Sequence, residues 1–584
     1  MLLVACSSTP KSSETGSNQS EKENSQHENE KVSVDKNVNI STPESEKPIP
    51  ATLPLNKLQQ TEYYSPILGL AEDYPRGTLL DSIEKDFSLM NQYGVSDIRV
   101  SVAWGDYERN KHIFDWGLLD KYVELAEQYG IELYPYICYS PPWATGSDWK
   151  APPKDYQDWY DFVYTLVDRY KGKINQWELW NEGDNYDFWT GSWGEQIELV
   201  KVGAQAVKDA NPNARTVFGG LTDLKKNHVR SIFKDGAADN IDVINIHFYN
   251  ETWNPNATER IYDDIKIVAD VIRENGGKQE LWIAEIGYSD YVQEDGIKVS
   301  DWVRKKAPYE KTKEFQAVTF MRAYSLIAAT EDVSTILWYE IKNLRLNSEA
   351  IGDVNNYFLG ALDHNYFPKH LWFSIAATKQ LFSNPFITID DELVIDQKDA
   401  VKPYVHAFKR ENGDVILMAW NRGTEDETIE VTVPGNFSKA IRYSVTGEKT
   451  PFEFDANEDS TTLSLELKPE YTNTIELIKA KNAPARVTIS NPQVIKESGG
   501  IYTVTAMATN IGDEVAVAII SEIFVNEGLE VEGDHIQVIE KIKPGEEIEL
   551  SWMVERIESK ESPQLWIAVN PKESPLAAVL VEIE

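Results

Sequence analysis

The chain has 584 residues, 41% of them hydrophobic, with 17 Trp, 28 Tyr and 19 Phe; it is too long for one ordinary domain and rich enough in apolar side chains for several cores. A net charge of −38 argues against nucleic acid and anionic membrane surfaces as partners, because phosphates would be repelled. Two cysteines, Cys6 and Cys138, exclude a disulfide framework, and no apolar run reaches the length of a membrane-spanning helix.

Residues 1–6 end in Leu3-Val-Ala-Cys6, which resembles a trimmed bacterial lipobox whose cysteine is lipidated. Residues 7–60 are rich in Ser, Glu, Lys, Asn, Thr and Pro and hold no Phe, Trp or Tyr, so they are expected to be a disordered tether. From 61 to 384 short β-rich runs alternate with helical periodicity. The expected order is strand 65–71, helix 80–90, strand 98–103, helix 118–129, strand 131–137, helix 159–169, strand 176–179 and helix 197–210. It continues with strand 216–219, helix 229–234, strand 243–248, helix 263–274, strand 281–284, helix 313–330 and strand 335–339. Eight strands, each followed by a helix, predict an α/β (β/α)8 TIM barrel, whose strand ends share one mouth. Short alternating strands from 385 to 480, and again from 484 to 584, predict two β-sandwich domains, the last immunoglobulin-like.

Two strand ends carry the chemistry. The fourth runs into Trp180-Asn-Glu-Gly and the seventh is Leu281-Trp-Ile-Ala-Glu-Ile-Gly, so Glu182 and Glu285 reach the same mouth. A pair of carboxylates is what glycosidic bond cleavage needs. In Ile244-Asn-Ile-His247-Phe-Tyr249, alternation puts His247 and Tyr249 on one side of the sixth strand. No HExxH or paired Cys/His spacing, nucleotide fingerprint or serine elbow occurs, so neither metal nor cofactor is expected.

These strand ends, with Trp104-Gly-Asp-Tyr-Glu-Arg and Phe114-Asp-Trp after the second strand, resemble the clan A retaining glycoside hydrolases. Within the clan the chain looks most like family 39, with families 5 and 51 sharing much of the pattern. The resemblance implies Glu182 as general acid/base, Glu285 as nucleophile and Asn181 as the contact to the sugar 2-hydroxyl. It further implies Arg99 beside the nucleophile, Tyr249 hydrogen-bonded to it, His247 in the substrate pocket and Trp338 as an aromatic floor. Trp143, Trp189, Trp193 and Trp253 are candidate walls of further subsites, and Glu340 a further polar contact. The expectation is an extracytoplasmic hydrolase of polysaccharide or oligosaccharide, lipid-anchored on a bacterial surface or secreted. A non-catalytic carbohydrate-binding lipoprotein is the alternative.

Overall fold

The computed structural model describes residues 63–291, 306–345, 354–397, 403–423 and 425–583. The expectations for Cys6 and for residues 7–60 lie outside them.

The first domain is a closed parallel barrel of eight strands. They are β1 (Ile67–Glu72), β2 (Asp97–Ala103), β3 (Glu132–Cys138), β4 (Gln176–Leu179), β5 (Arg215–Leu221), β6 (Val243–Phe248), β7 (Glu280–Ile286) and β8 (Val333–Tyr339). The ring closes where β8 pairs with β1, Leu70 lying opposite Trp338. Its principal helices are α1 (Leu80–Gln92), α2 (Gly117–Tyr129), α3 (Tyr156–Arg169), α4 (Trp193–Ala210), α5 (Lys226–Lys234), α6 (Ile261–Glu274), α7 (Lys313–Thr330) and α8 (His370–Leu381).

Each element follows from local chemistry. On α1 the residues Ile83, Phe87 and Met90 recur at helical spacing and are fully buried, each contributing about 1.5–3 kcal/mol. Gly130 ends α2 in the left-handed region, where a β-carbon is costly. Ser192 and Glu195 form a capping box that starts α4 immediately after the β4 loop. Inside the barrel, Tyr134, Val217, Val243, Trp282, Ala284 and Leu337 form the packed plug on which the mouth rests.

One irregularity matters for the site. Trp282 and Ala284 face the interior, so strict alternation would turn Glu285 outward. The β6–β7 register runs from Asn245 opposite Trp282 to His247 opposite Glu285, and the β7–β8 register from Ile283 opposite Ile336 to Ile286 opposite Trp338. In both pairings β7 holds one residue more than its neighbour. This bulge shifts the phase and brings Glu285 back into the mouth.

Beyond the barrel stand two antiparallel sandwiches. The first pairs a six-stranded sheet, from Phe386–Thr388 through Val415–Trp420 to Lys449–Pro451, with a four-stranded one. The second, beginning at Val487, pairs two four-stranded sheets. Neither hangs free of the barrel. Trp566 of the second sandwich packs on Phe373 of α8 and donates its indole N–H to the Pro368 carbonyl at 2.8 Å, while Phe524 packs on Tyr93. Every residue of α7 from Phe315 to Thr330 is buried, because the helix lies between the barrel and the first sandwich. There Arg322 donates to the carbonyls of Pro469 and Tyr471.

Candidate active site

The β4 strand ends in a sharp turn that places two consecutive polar residues over the barrel. Trp180 and Glu182 both have φ in the left-handed region, at 77° and 46°. Such a backbone costs a bulky residue on the order of 1–3 kcal/mol and persists only where its surroundings hold it. The surroundings here are close. A β-carbon at Gly219 would meet the Trp180 carbonyl oxygen at 2.4 Å, and one at Gly183 would meet the Gln196 side chain at 2.2 Å. On the neighbouring strand a β-carbon at Gly220 would lie 1.9 Å from His247 Nε2. The Gly219-Gly220 pair thus admits both the Trp180 turn and the His247 ring.

Glu182 is buried and accepts two hydrogen bonds, from Asn185 Nδ2 at 2.8 Å and on its other oxygen from His247 Nδ1 at 2.8 Å. Asn245 sets the histidine. Its amide oxygen accepts from the Ala284 N–H at 2.8 Å, and its nitrogen donates to Glu178 at 3.0 Å and faces His247 Nε2 at 3.2 Å. With the amide so oriented, Nε2 is an acceptor and Nδ1 carries the proton shared with Glu182. Burial pushes the Glu182 carboxyl above its ordinary pKa, and the charge of Glu285 adds to this, against the hydrogen bond from His247.

Glu285 faces it from β7. One oxygen accepts from the Tyr249 hydroxyl at 2.6 Å, the other from Arg99 Nη1 at 2.6 Å. Burial works against its charge, but the His247 Nδ1–H aimed at it from 3.8 Å, Arg99 and the Tyr249 hydroxyl outweigh that and hold the carboxyl below its ordinary pKa. Arg99 is itself fixed by a two-pronged ion pair with Glu178 at 2.7 and 2.9 Å, and its ring-facing plane lies 4.0 Å from the Tyr136 centroid. The same guanidinium donates to Asn181 Oδ1 at 2.8 Å. That bond orients the Asn181 amide, leaving its N–H2 a long 3.5 Å contact to the Tyr139 hydroxyl and a donor for the mouth.

Glu182, His247 and Glu285 each offer a polar atom within 4.8 Å of the others. They line a cavity of about 630 Å³ with Asn181, Tyr249 and Trp253. Asp73, Tyr136, Tyr339 and Asn356 close it on the β1, β3 and β8 side. Phe188, Asp223 and Lys225 extend it past Glu182 along the loops after β4 and β5.

Glu182, Glu285, Asn181, Arg99, His247 and Tyr249 therefore come together, Arg99 from behind the two residues it holds. Trp338 and Trp143 do not. On β8 Leu337 points into the barrel and Tyr339 into the mouth, so Trp338 points outward, 1% exposed and edge-on to Phe320 of α7 at 5.1 Å. The aromatic lining there is Tyr339. Trp143 sits on a short turn of helix, donates to the Glu108 carbonyl at 2.8 Å and packs edge-on against Trp104. Trp189 packs against Trp180 and Trp193 against His228, so of the four loop tryptophans Trp253 lines the cavity. Glu340 is fully buried, with both carboxyl oxygens unpartnered among the described residues; burial, with Glu72 adding, raises its pKa far above the ordinary value.

Glu178, Asn245, Asp73 and Tyr339 are absent from the sequence expectations. Glu178 and Asn245 were findable, since each is a polar residue in the inward phase of an apolar strand. Asp73 follows β1 at the mouth without any motif around it.

A segment is 33% identical over 125 residues to endo-1,4-beta-xylanase 3 of Hypocrea jecorina, covering 20% of this chain and 35% of that one. The chain is also 30% identical over 91 residues to endo-1,4-beta-xylanase 1 of Gibberella zeae, covering 15% of this chain and 25% of that one. The chain thus spans about a quarter to a third of the length of these curated relatives. In fold it resembles a family 39 glycoside hydrolase from Bacteroides cellulosilyticus WH2, with a TM-score of 0.53 at 18% identity over 71% of this chain and 81% of that one. Residues 73–281 match the model of glycosyl hydrolases family 39, a stretch that takes in Arg99, Asn181, Glu182, His247 and Tyr249 and stops just before Glu285.

Proposed function

We propose that the protein is a retaining glycoside hydrolase that cleaves a polysaccharide or oligosaccharide by double displacement. One observation carries this reading: an oxygen of Glu182 and one of Glu285 lie within 4.8 Å across the cavity. Retaining enzymes hold their carboxyls about 5–5.5 Å apart, whereas inverting ones leave roughly 6.5–9.5 Å for a water between them. The unequal surroundings support the assignment of roles, since a depressed pKa suits a nucleophile and a raised one an acid.

In the first step a Glu285 oxygen bonds to the anomeric carbon as the glycosidic bond breaks, and Glu182 gives its proton to the departing oxygen. In the second, Glu182 takes a proton from water, whose oxygen attacks the same carbon and releases Glu285 as carboxylate. Asn181 donates to the 2-hydroxyl, a contact that strengthens as positive charge develops on the ring. Hydrogen bonds from Arg99 and Tyr249 keep the attacking carboxylate in place through both steps.

The names of the two curated relatives make β-1,4-xylan the first polysaccharide to test. Glu285→Ala should abolish saccharide release while the protein stays folded, and substantial residual turnover would sink the nucleophile assignment. Glu182→Ala should slow natural linkages far more than activated aryl glycosides; an equal loss on both counts against its role as acid. We further propose that Cys6 is lipidated and that residues 7–60 tether the enzyme outside a bacterial cell. A clickable fatty acid should label the native chain and not Cys6→Ser, and equal labelling of both contradicts the anchor.

A further inference from the structure

The β6 loop that carries Tyr249 is held from outside the barrel. Glu251, two residues after Tyr249, has its φ at 58° in the left-handed region and its side chain buried. Its carboxylate accepts from the N–H and hydroxyl of Thr258, at 3.1 and 2.8 Å, which ties the two ends of the loop together. The same carboxylate takes a two-pronged ion pair, at 2.7 and 3.0 Å, from Arg422. Arg422 belongs to the first sandwich, following its strand Val415–Trp420. It also donates to Glu259 at 2.8 Å, and Trp420 donates its indole N–H to the other Glu259 oxygen at 2.9 Å. One guanidinium from the sandwich thereby bridges both ends of the segment 251–259.

What this segment carries faces the reaction. Trp253 lies 4.1 Å from the Tyr249 ring, and its backbone N–H donates to the Tyr249 carbonyl at 3.2 Å. Asn254 Nδ2 donates to the same carbonyl at 3.3 Å. Trp253, Asn254 and Asn256 line the cavity, and Tyr249 holds Glu285. A shift at Glu251 therefore reaches the nucleophile through a short chain of direct contacts.

We propose that Arg422 of the β-sandwich is a positioning residue for the active site, which fixes the β6 loop and, through it, Tyr249 and the Trp253 wall. The sandwich then supplies part of the catalytic framework as well as covering α7. The kinetic part of this proposal rests on the glycosidase reading above; the structural part does not.

Full-length Arg422→Ala and Arg422→Lys test it, the lysine keeping charge and bulk but losing the planar fork. Each should lower kcat about ten- to a hundredfold, the cost of a small misplacement of reacting groups. With Tyr249 less well held, Glu285 loses one of the contacts that depress its pKa, so the acidic limb of kcat/KM should move to higher pH. Hydrogen exchange over residues 249–258 should rise, while the strands of the sandwich exchange as in the native chain. If the native protein hydrolyses no glycoside, the function proposed above falls, and faster exchange in that segment still supports the positioning role. Should Arg422→Ala fail to fold, Arg422→Lys reads the fork alone. Native exchange over 249–258 in Arg422→Lys, or a native acidic limb in an active enzyme, overturns the proposal.

Discussion

At the scale of residues the active site is an unequal pair. Glu182 is buried and Glu285 largely so, and what separates them is the donor set: a guanidinium and a phenol on one, a neutral amide and an imidazole on the other. The pH dependence of kcat/KM should accordingly be bell-shaped. Activity rises as Glu285 ionises, below the ordinary glutamate range, and falls as Glu182 loses its proton, above that range. Glu182→Gln should remove the alkaline limb on activated aryl glycosides and leave the acidic limb where it was; an unchanged alkaline limb would assign that proton elsewhere. Gly220→Ala probes the histidine, because the new β-carbon would stand 1.9 Å from His247 Nε2. Turnover should drop about a hundredfold, and native kinetics in that variant would show that the ring does not set Glu182.

At the scale of elements, strand phase decides which side chains reach the mouth. Trp338 and Tyr339 are neighbours with opposite fates, one against α7 and the other in the cavity. Trp338→Phe should cost about 1–2 kcal/mol of stability and leave KM within roughly twofold. Tyr339→Ala should raise KM instead, and a reversed pattern would mean the β8 phase is misassigned. This is also where the sequence was legible only in part. Helical and β periodicity carries the barrel, because one face of each element is apolar, and the strand-end motifs carry Glu182 and Glu285. Regular alternation places His247 and Tyr249 correctly on β6. It would have turned Glu285 outward, since the β7 bulge leaves no mark in Leu281-Trp-Ile-Ala-Glu. The resemblance implies Trp338 as the floor, but its register faces the helices and Tyr339 takes the place in the mouth. Arg422 could not be found from sequence at all, as its partners lie on the barrel more than a hundred positions away.

At the scale of the whole molecule the three domains are joined by buried polar clamps. Glu476 of the first sandwich is fully buried and accepts from Arg410 at 2.8 Å, from Tyr443 at 2.7 Å and from Arg486, where the second sandwich begins, at 2.7 and 2.8 Å. Burial opposes its charge, but Arg486 and Arg410 outweigh it and bring the carboxyl down to about 2. A depressed folded-state pKa means this stabilisation is complete above the ordinary glutamate pKa and is lost as pH falls toward 2. Glu476→Gln should destabilise the protein by about 3–5 kcal/mol at neutral pH, since it strands two buried cations, and should flatten the acid side of a plot of Tm against pH. An unaltered acid profile would remove Glu476 from the account. Beside this clamp the buried Lys449 Nζ lies within hydrogen-bond distance of the carbonyls of Gly447, Val487, Pro575 and Leu576. The last domain is thus part of one packed body, and deleting residues 484–584 should expose Tyr93, Phe373 and the His370 face of α8 and cause aggregation. A soluble, fully active truncation would instead make it a detachable spacer. At the centre of the molecule stand two carboxylates with oxygens within 4.8 Å of each other, the spacing of a retaining enzyme. The most direct test is the anomeric configuration of the first-formed product, followed by proton NMR during hydrolysis of an aryl glycoside or xylo-oligosaccharide before mutarotation. Retention of the substrate's configuration is the predicted result, and inversion would contradict the account.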